Sequence, residues 1–196
     1  GDMVILDAPY IKGILSNMRQ TCKRGIARAR ALGGGKMPSY FAFDAVEYVK
    51  EDDGITVTKF KPVVIPRFLE SYVHNFRLKH SEERKQQLYD EVRDGLYDDK
   101  LKMYKVNVSL ANAPFEIGRC KVFTPGWLEN ESIWLHMEYK YLLELIKNGL
   151  YREFIEDLKT CAVCFLDPDV YGRSPLQNSS FIASSANPNP GIHGRG

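Results

Sequence analysis

The segment from Glu131 to Lys147 constrains the fold most, because its apolar residues recur at helical spacing. They are Trp134, Met137, Tyr141, Leu142, Leu145 and Ile146. Such a stripe predicts an amphipathic helix that buries one face. Asn148 and Gly149 follow directly and are typical of a left-handed helix cap. The sequence therefore predicts one long helix that packs against other parts of the chain.

Most of the remaining pattern is also helical. Residues 39–60 are the exception, because apolar and polar side chains alternate there around an Asp-Asp-Gly turn, which indicates a β-hairpin. Residues 97–110 fit an extended or irregular segment. The further stretches predicted as helices are 4–32, 67–80, a second helix from 81, and 151–164. With no repeat or clear linker, residues 1–196 are expected to form a single domain.

Composition limits the partners. The chain has 196 residues, 44% of them hydrophobic, which is enough for one core. A net charge of +2 supplies no field that would steer nucleic acid, so no nucleic-acid partner is predicted. The longest apolar runs, such as residues 63–65, are too short to span a bilayer. We therefore expect no membrane association, and a cytoplasmic location.

The four cysteines predict neither a metal nor a redox site. Cys161 and Cys164 form a C-x-x-C. Zinc would require a second pair of ligands, and a redox pair would require a βαβ context. The surrounding CAVCFLDP is typical of the apolar end of a helix, where free cysteine is commonly buried. No metal ligand is therefore predicted.

Two interpretations of the C-terminal stretch, residues 172–196, stay open. It is rich in Ser, Asn, Gly and Pro and has almost no periodicity, which is typical of a disordered terminus. Alternatively, it is a polar loop layered over a site. Phe181 and Ile182 favour some docking, because they are apolar residues within a polar segment.

The residues around the start of the long helix combine groups suited to ligand chemistry. Glu129 and His136 are about two helical turns apart, so on one face they would look into one space. Trp127 and Trp134 are placed to wall that space, with Trp127 a candidate substrate-binding residue. Carboxylates accept hydrogen bonds from sugar hydroxyls, and an imidazole donates to anions such as phosphate. The spacing thus predicts a sugar or anion site.

A purely structural interpretation of the same residues stays open. Asn130 is suited to cap the helix, and Glu131 is favourable in its first turn. In this interpretation, Trp134 only fills the core. A lone helical histidine such as His136 is more often structural than ligand-binding.

The stretch PGWLENESIWLH resembles the P-G-x-x-E-N-G-G-x-F-x-H signature of inverting glycoside phosphorylases related to cellobiose phosphorylase. The preceding EIGRCKVF is similar to the segment that leads into that signature. Glu131 and Ser132 replace two glycines, and Trp134 replaces a smaller aromatic residue. These departures suggest an altered substrate subsite, with Glu131 as a candidate substrate-binding residue. The matching positions are Pro125, Gly126, Glu129, Asn130 and His136.

The resemblance implies roles for individual residues. Glu129 matches an acid that hydrogen-bonds the sugar near the scissile bond, and His136 matches a histidine that helps hold the attacking phosphate. Phe123 falls where relatives place an aromatic residue near the sugar. The family's general acid lies upstream of the signature, and Asp2 is the candidate for that role.

The fold implied by the resemblance is mainly α, an (α/α)6 toroid with the site where helix ends meet. Six helix pairs need far more chain than 196 residues. The sequence is therefore expected to supply part of such a toroid, with a small β-hairpin insertion, and to be inactive in isolation.

The reaction implied is phosphorolysis of a β-glycosidic bond in a di- or oligosaccharide, with inversion, to give a sugar 1-phosphate. Inorganic phosphate is the co-substrate, and no cofactor is expected. Two alternatives stay open: a glycoside hydrolase, for which Glu131 is the candidate base, and a non-catalytic carbohydrate-binding or scaffold module. A homo-oligomer is compatible with each.

Overall fold

The computed structural model describes residues 7–34, 36, 38–171 and 180–196. The chain divides into two compact units, Gly1–Pro38 and Ser39–Gly196. The residues of the candidate site that the structure describes all belong to the second unit.

The described part of the first unit is dominated by one helix. Helix α1 spans Ala8–Leu32. Asp7 begins it, because its side chain accepts a hydrogen bond from the Tyr10 amide at 2.8 Å. Pro9 lies in the first turn, where its missing N–H costs no hydrogen bond. The helical prediction for residues 4–32 is confirmed over residues 8–32, which form one helix rather than a pair, and residues 4–6 lie outside the described residues.

The second unit begins with a long β-hairpin. Strands β1 (Phe41–Glu51) and β2 (Gly54–Val64) pair antiparallel around the Asp-Asp-Gly turn, so the hairpin prediction is confirmed. The base of the hairpin is attached to the helical part through Ser39. Its hydroxyl accepts a hydrogen bond from the Phe68 amide at 2.7 Å.

Short helices and two-residue strands alternate through the rest of the second unit. Strand β3 pairs with β4, and β5 with β6, both antiparallel. No helix in the described part of the chain is long and apolar enough to cross a bilayer. In order, the elements are α2 (Leu69–Phe76), α3 (Glu82–Leu96), β3 (Tyr97–Asp98), β4 (Met103–Tyr104), a 3₁₀ segment (Phe115–Lys121), β5 (Ile133–Trp134), α4 (Leu135–Lys147), α5 (Tyr151–Cys161), a 3₁₀ turn (Val163–Phe165), α6 (Pro168–Tyr171), β6 (Phe181–Ile182) and a final 3₁₀ turn (Pro190–Ile192).

An extended segment after β4 joins the helices through backbone hydrogen bonds. The Val106 carbonyl accepts from the Leu69 amide at 2.9 Å, and the Val106 amide donates to the Ser132 carbonyl at 2.8 Å. The Lys105 amide donates to the Leu96 carbonyl at 2.7 Å. Residues from α2, α3 and the segment before β5 are thereby brought together around one strand-like segment.

The prediction of a mainly α (α/α)6 toroid is wrong. The protein is mixed α/β: its described residues are 49% helical and form six helices and three small antiparallel sheets. Residues 97–134 explain the difference, because they form short strands, bridges, turns and one 3₁₀ segment but no α-helix. Extended backbone therefore separates α3 from α4.

A polar cluster is buried between β4, α4 and α5. Glu138 is fully buried, and its Oε1 accepts from the Tyr104 amide at 2.6 Å. Asp157 accepts from the Tyr104 hydroxyl at 2.7 Å and from Arg93 at 2.6 Å. Burial raises the pKa of Glu138 to about 8 and that of Asp157 to about 6. Glu138 is therefore mainly protonated at neutral pH.

Candidate active site

The long helix begins later than the sequence pattern predicts. Helix α4 starts at Leu135, and its N-cap residue, Trp134, makes no side-chain cap hydrogen bond. The predictions that Asn130 is the cap and that Glu131 lies in the first turn are wrong. Glu131 has a φ of 58°, in the left-handed region. Its amide donates to Asn107 Oδ1 at 2.8 Å, so it bonds a side chain of another segment and is not part of a helical turn.

A buried amide side chain holds the loop that carries Glu129. Asn107 is fully buried, and its Nδ2 donates to the Glu129 carbonyl at 2.6 Å. Within the loop, the Gly126 amide donates to the Asn130 carbonyl at 2.7 Å. Asn130 Nδ2 in turn donates to the Phe123 carbonyl at 2.7 Å. These bonds fix the backbone on both sides of the Glu129 carboxylate.

Glu129 and His136 line one cleft, here called the small cleft, with a volume of about 280 Å³. Glu129 comes from the loop and His136 from the first turn of α4, so the two meet without sharing a helix face. This volume lies just below the range of about 300–1,000 Å³ that is typical of small-molecule sites. The walls are formed by Phe68, Glu70, Val106, Asn107, Cys120, Glu129, Trp134, His136 and Met137.

A guanidinium accompanies the Glu129 carboxylate. Arg119 Nη2 donates to Glu129 Oε1 at 2.6 Å, while the Arg119 side chain remains 78% exposed. An exposed arginine that pairs with a carboxylate of the cleft wall supplies a cationic donor group suited to bind an anion. Arg119 was not predicted as a site residue. It is ten residues from Glu129 in the sequence, and no local pattern indicates that the chain folds back to bring the two side chains together.

Trp134 forms an aromatic wall beside His136. The two rings meet edge to face, with centroids 5.6 Å apart. Trp134 Nε1 donates to the Leu128 carbonyl at 3.1 Å, which fixes the indole, and Phe181 packs against its other side at 5.5 Å. A fixed aromatic ring at the edge of a cleft can cover the apolar face of a sugar.

A second carboxylate lines the small cleft, and sequence reasoning missed it. Glu70 lies in the first turn of α2 and is exposed. Its Oε1 lies 3.9 Å from Nε2 of His74, one turn further along the same helix. In the sequence, Glu70 looks like any charged residue at a helix start. Its position opposite the Glu129 loop depends on the long-range hydrogen bonds between Leu69 and Val106.

Three other predicted site residues, Phe123, Trp127 and Glu131, lie outside the walls of the small cleft. Trp127 packs edge to face on Phe181, with centroids 5.0 Å apart, and Phe123 is half-buried in the loop. Glu131 is nearly buried and accepts from Lys105 at 3.3 Å. Asp2 lies outside the described residues.

The described end of the C-terminal stretch docks onto the site loop. Strand β6 pairs with β5, and Ile182 is fully buried, so the prediction that Phe181 and Ile182 dock is confirmed. The Ser184 amide also donates to the Gly126 carbonyl at 3.1 Å. Residues 180–196 thus support the loop that carries Glu129.

We expect Gly126→Ala to destabilise the protein by roughly 3 kcal/mol. Gly126 has a φ of 75°, and a methyl group on it would overlap the backbone of Asn187. Gly149 is the control, because its φ of 81° is similar but a methyl group there meets no atom within 4 Å. Gly149→Ala should cost about 1 kcal/mol. Urea unfolding measures both, and equal losses would show that the docked C-terminal stretch does not press on Gly126.

Comparisons with known proteins identify no family. Neither a protein-family model nor a curated protein sequence matches this chain. The resemblance to glycoside phosphorylases therefore stays a prediction that rests on residues 116–136.

Proposed function

We propose that the small cleft binds a sugar and an inorganic phosphate, and that the chain serves in phosphorolysis of a β-glycosidic bond. The observation that carries this proposal is that Glu129, His136 and Trp134 line one cleft. Their chemistry suits the two ligands: a carboxylate for sugar hydroxyls, an indole for the sugar ring and an imidazole for an anion. A cytoplasmic location belongs to the same proposal.

In the proposed reaction, a phosphate oxygen attacks the anomeric carbon while the bond to the glycosidic oxygen breaks. A carboxylic acid gives its proton to the leaving oxygen, and configuration inverts. The carboxylate then recovers a proton from the hydrogen phosphate group of the product. No base is required, because phosphate is already an anionic nucleophile, and no cofactor takes part.

Five residues are assigned roles in this reaction. Glu129 accepts hydrogen bonds from the sugar hydroxyls, and these strengthen as positive charge develops on the ring. His136 and Arg119 hold the phosphate beside the anomeric carbon. Asp2 remains the acid implied by the resemblance, and Glu70 is the second carboxylate on the cleft.

Hydrolysis is the second candidate function, and the pair of carboxylates on one cleft favours it. Inverting hydrolases use one carboxylic acid and one carboxylate base that activates water. Glu70 and Glu129 both line the small cleft, so they can supply such a pair. Glu131, the base considered from the sequence, is buried against Lys105 and lies outside the cleft walls.

The test is turnover of β-linked di- and oligosaccharides by the full-length protein that carries this sequence, with and without phosphate. Phosphorolysis predicts a sugar 1-phosphate whose formation requires phosphate, whereas hydrolysis proceeds equally without it. His136→Ala should lower kcat/KM for phosphate about 100-fold, because one donor to the phosphate is lost. His80→Ala is the control, since His80 bonds the Asn75 carbonyl and lines no part of the small cleft. Unchanged phosphate dependence in His136→Ala would refute the role of this residue.

A further inference from the structure

A second, larger cleft adjoins the small cleft. It has a volume of about 710 Å³ and lies where the base of the hairpin meets α2 and the 3₁₀ segment. Phe68 and Glu70 line both clefts, so the two clefts adjoin at these residues. The larger cleft is lined by Ser39, Tyr40, Phe41, Ala42, Phe43, Ile65, Phe68, Glu70, Ser71, His74, Glu116 and Ile117.

The walls of the larger cleft combine exposed aromatic rings with carboxylates. Tyr40 is 74% exposed and Phe43 is 54% exposed, although both rings are large and apolar. Glu70 and Glu116 add two carboxylates, and neither lysine nor arginine is among the lining residues. Aromatic faces and hydrogen-bond acceptors suit a neutral ligand that is rich in hydroxyl groups.

We infer that the larger cleft binds the leaving-group end of a β-linked oligosaccharide. This inference rests on the proposed function, in which the small cleft holds the sugar that is transferred. The larger cleft has a volume of about 710 Å³, against about 280 Å³ for the small cleft. It therefore has room for two or more rings beyond that sugar. The substrate is therefore an oligosaccharide of three or more units rather than a disaccharide, and its scissile bond lies beside Glu70.

Binding of an oligosaccharide series to the full-length protein tests this inference. The probes are β-1,3- and β-1,4-linked glucose oligosaccharides of two to five units, measured by calorimetry. Affinity should increase about tenfold from the dimer to the tetramer as rings stack in the larger cleft. Tyr40→Ala should remove most of that gain and change dimer affinity by less than about twofold.

Two pairs of variants control for the loss of an aromatic side chain. Tyr48 lies on the same strand as Phe43, is 56% exposed and lines neither cleft, so Tyr48→Ala should bind every probe as the wild type does. Phe43→Ala and Phe60→Ala form the second pair. Phe60 lies on β2 and is 56% exposed, close to the 54% of Phe43. All four side chains are exposed, so none of these changes should alter the thermal unfolding temperature appreciably.

The outcomes separate this inference from the proposed function. Affinity that does not depend on chain length, or tetramer binding that survives both Tyr40→Ala and Phe43→Ala, overturns the inference. The proposed function then still stands if the dimer binds and Glu129→Gln abolishes that binding. Absence of binding by every probe overturns both. Length-dependent affinity that Tyr40→Ala removes and Tyr48→Ala retains supports the inference.

Discussion

Replacing Glu138 with glutamine is expected to make the stability of the protein nearly independent of pH between pH 6.5 and 8. As pH rises over that range, the unfolding free energy of the wild type should fall by about 2 kcal/mol more than that of the variant. The slope reaches at most about 1.4 kcal/mol per pH unit. The cause is the complete burial of Glu138, which raises its pKa from the ordinary 4.5 to about 8. Glutamine keeps the acceptor for the Tyr104 amide and carries no ionisable group.

The sign of the effect follows from proton binding. Between pH 4.5 and 8 the folded protein keeps the Glu138 proton, whereas the unfolded chain has lost it. The native state therefore binds more protons, so stability falls as pH rises and levels off above the folded pKa. Asp157 has a raised pKa of about 6 and acts in the same direction, but its effect ends near that pH. The range from pH 6.5 to 8 therefore isolates Glu138.

Urea unfolding of the wild type and the Glu138→Gln variant at several pH values measures the effect. The quantity of interest is the difference between the two slopes of unfolding free energy against pH, because all other ionisable groups are common to both proteins. Tyr104, Asp157, Cys161 and Tyr171 surround the group and are unchanged in the variant. Raised stability of the variant at pH 8, with a flat profile, is the expected result.

A second buried glutamate on the same helix provides the control. Glu144 is nearly fully buried, but it accepts from Arg77 at 3.1 Å and from Lys147 at 3.3 Å. Glu144→Gln breaks these ion pairs and should lower stability at every pH, with the wild-type slope retained. A Glu138→Gln variant that keeps the wild-type slope would show that Glu138 is ionised in the folded protein.

The local parts of the fold could be predicted from the sequence. The helices and the hairpin follow from periodicities of 3.6 and 2, which depend only on neighbouring residues. The burial of α4 could be predicted only in part. Tyr141, Leu142 and Leu145 are buried as predicted, but Ile146 is exposed, and Glu138 is buried instead. The partner of Glu138, the Tyr104 amide, is remote in the sequence, and no local pattern reveals it.

The candidate site was predicted in part, although the geometry differs from the one assumed. Glu129 and His136 line one cleft, yet they do so from a loop and a helix rather than from one helix face. Asn107 makes the difference, because it holds the loop in a non-helical conformation from a distant segment. Glu70 and Arg119 escaped prediction for the same reason: their positions depend on tertiary hydrogen bonds.

Under the proposed function, Glu70→Gln is expected to lower turnover of β-linked oligosaccharides by about 10²–10⁴-fold, because Glu70 is a candidate, beside Asp2, for the acid that protonates the leaving oxygen. Glu70 lines both clefts, so it would lie beside a bond that joins a sugar in the small cleft to a sugar in the larger one. Its side chain is exposed, and the substitution should therefore leave folding intact. Rates on β-linked tetrasaccharides of glucose with phosphate measure the loss.

An activated substrate distinguishes proton donation from binding. The 4-nitrophenolate leaving group needs no proton, so Glu70→Gln should cleave 4-nitrophenyl β-glucoside at nearly the wild-type rate. Glu129→Gln should be slow on both substrates, because Glu129 contacts the transferred sugar in either case. Glu116→Gln is the matched control, since Glu116 lines only the larger cleft and should change turnover only a few-fold. Equal losses on both substrates in Glu70→Gln would exclude Glu70 as the acid, and Asp2 would be the residue to test in its place.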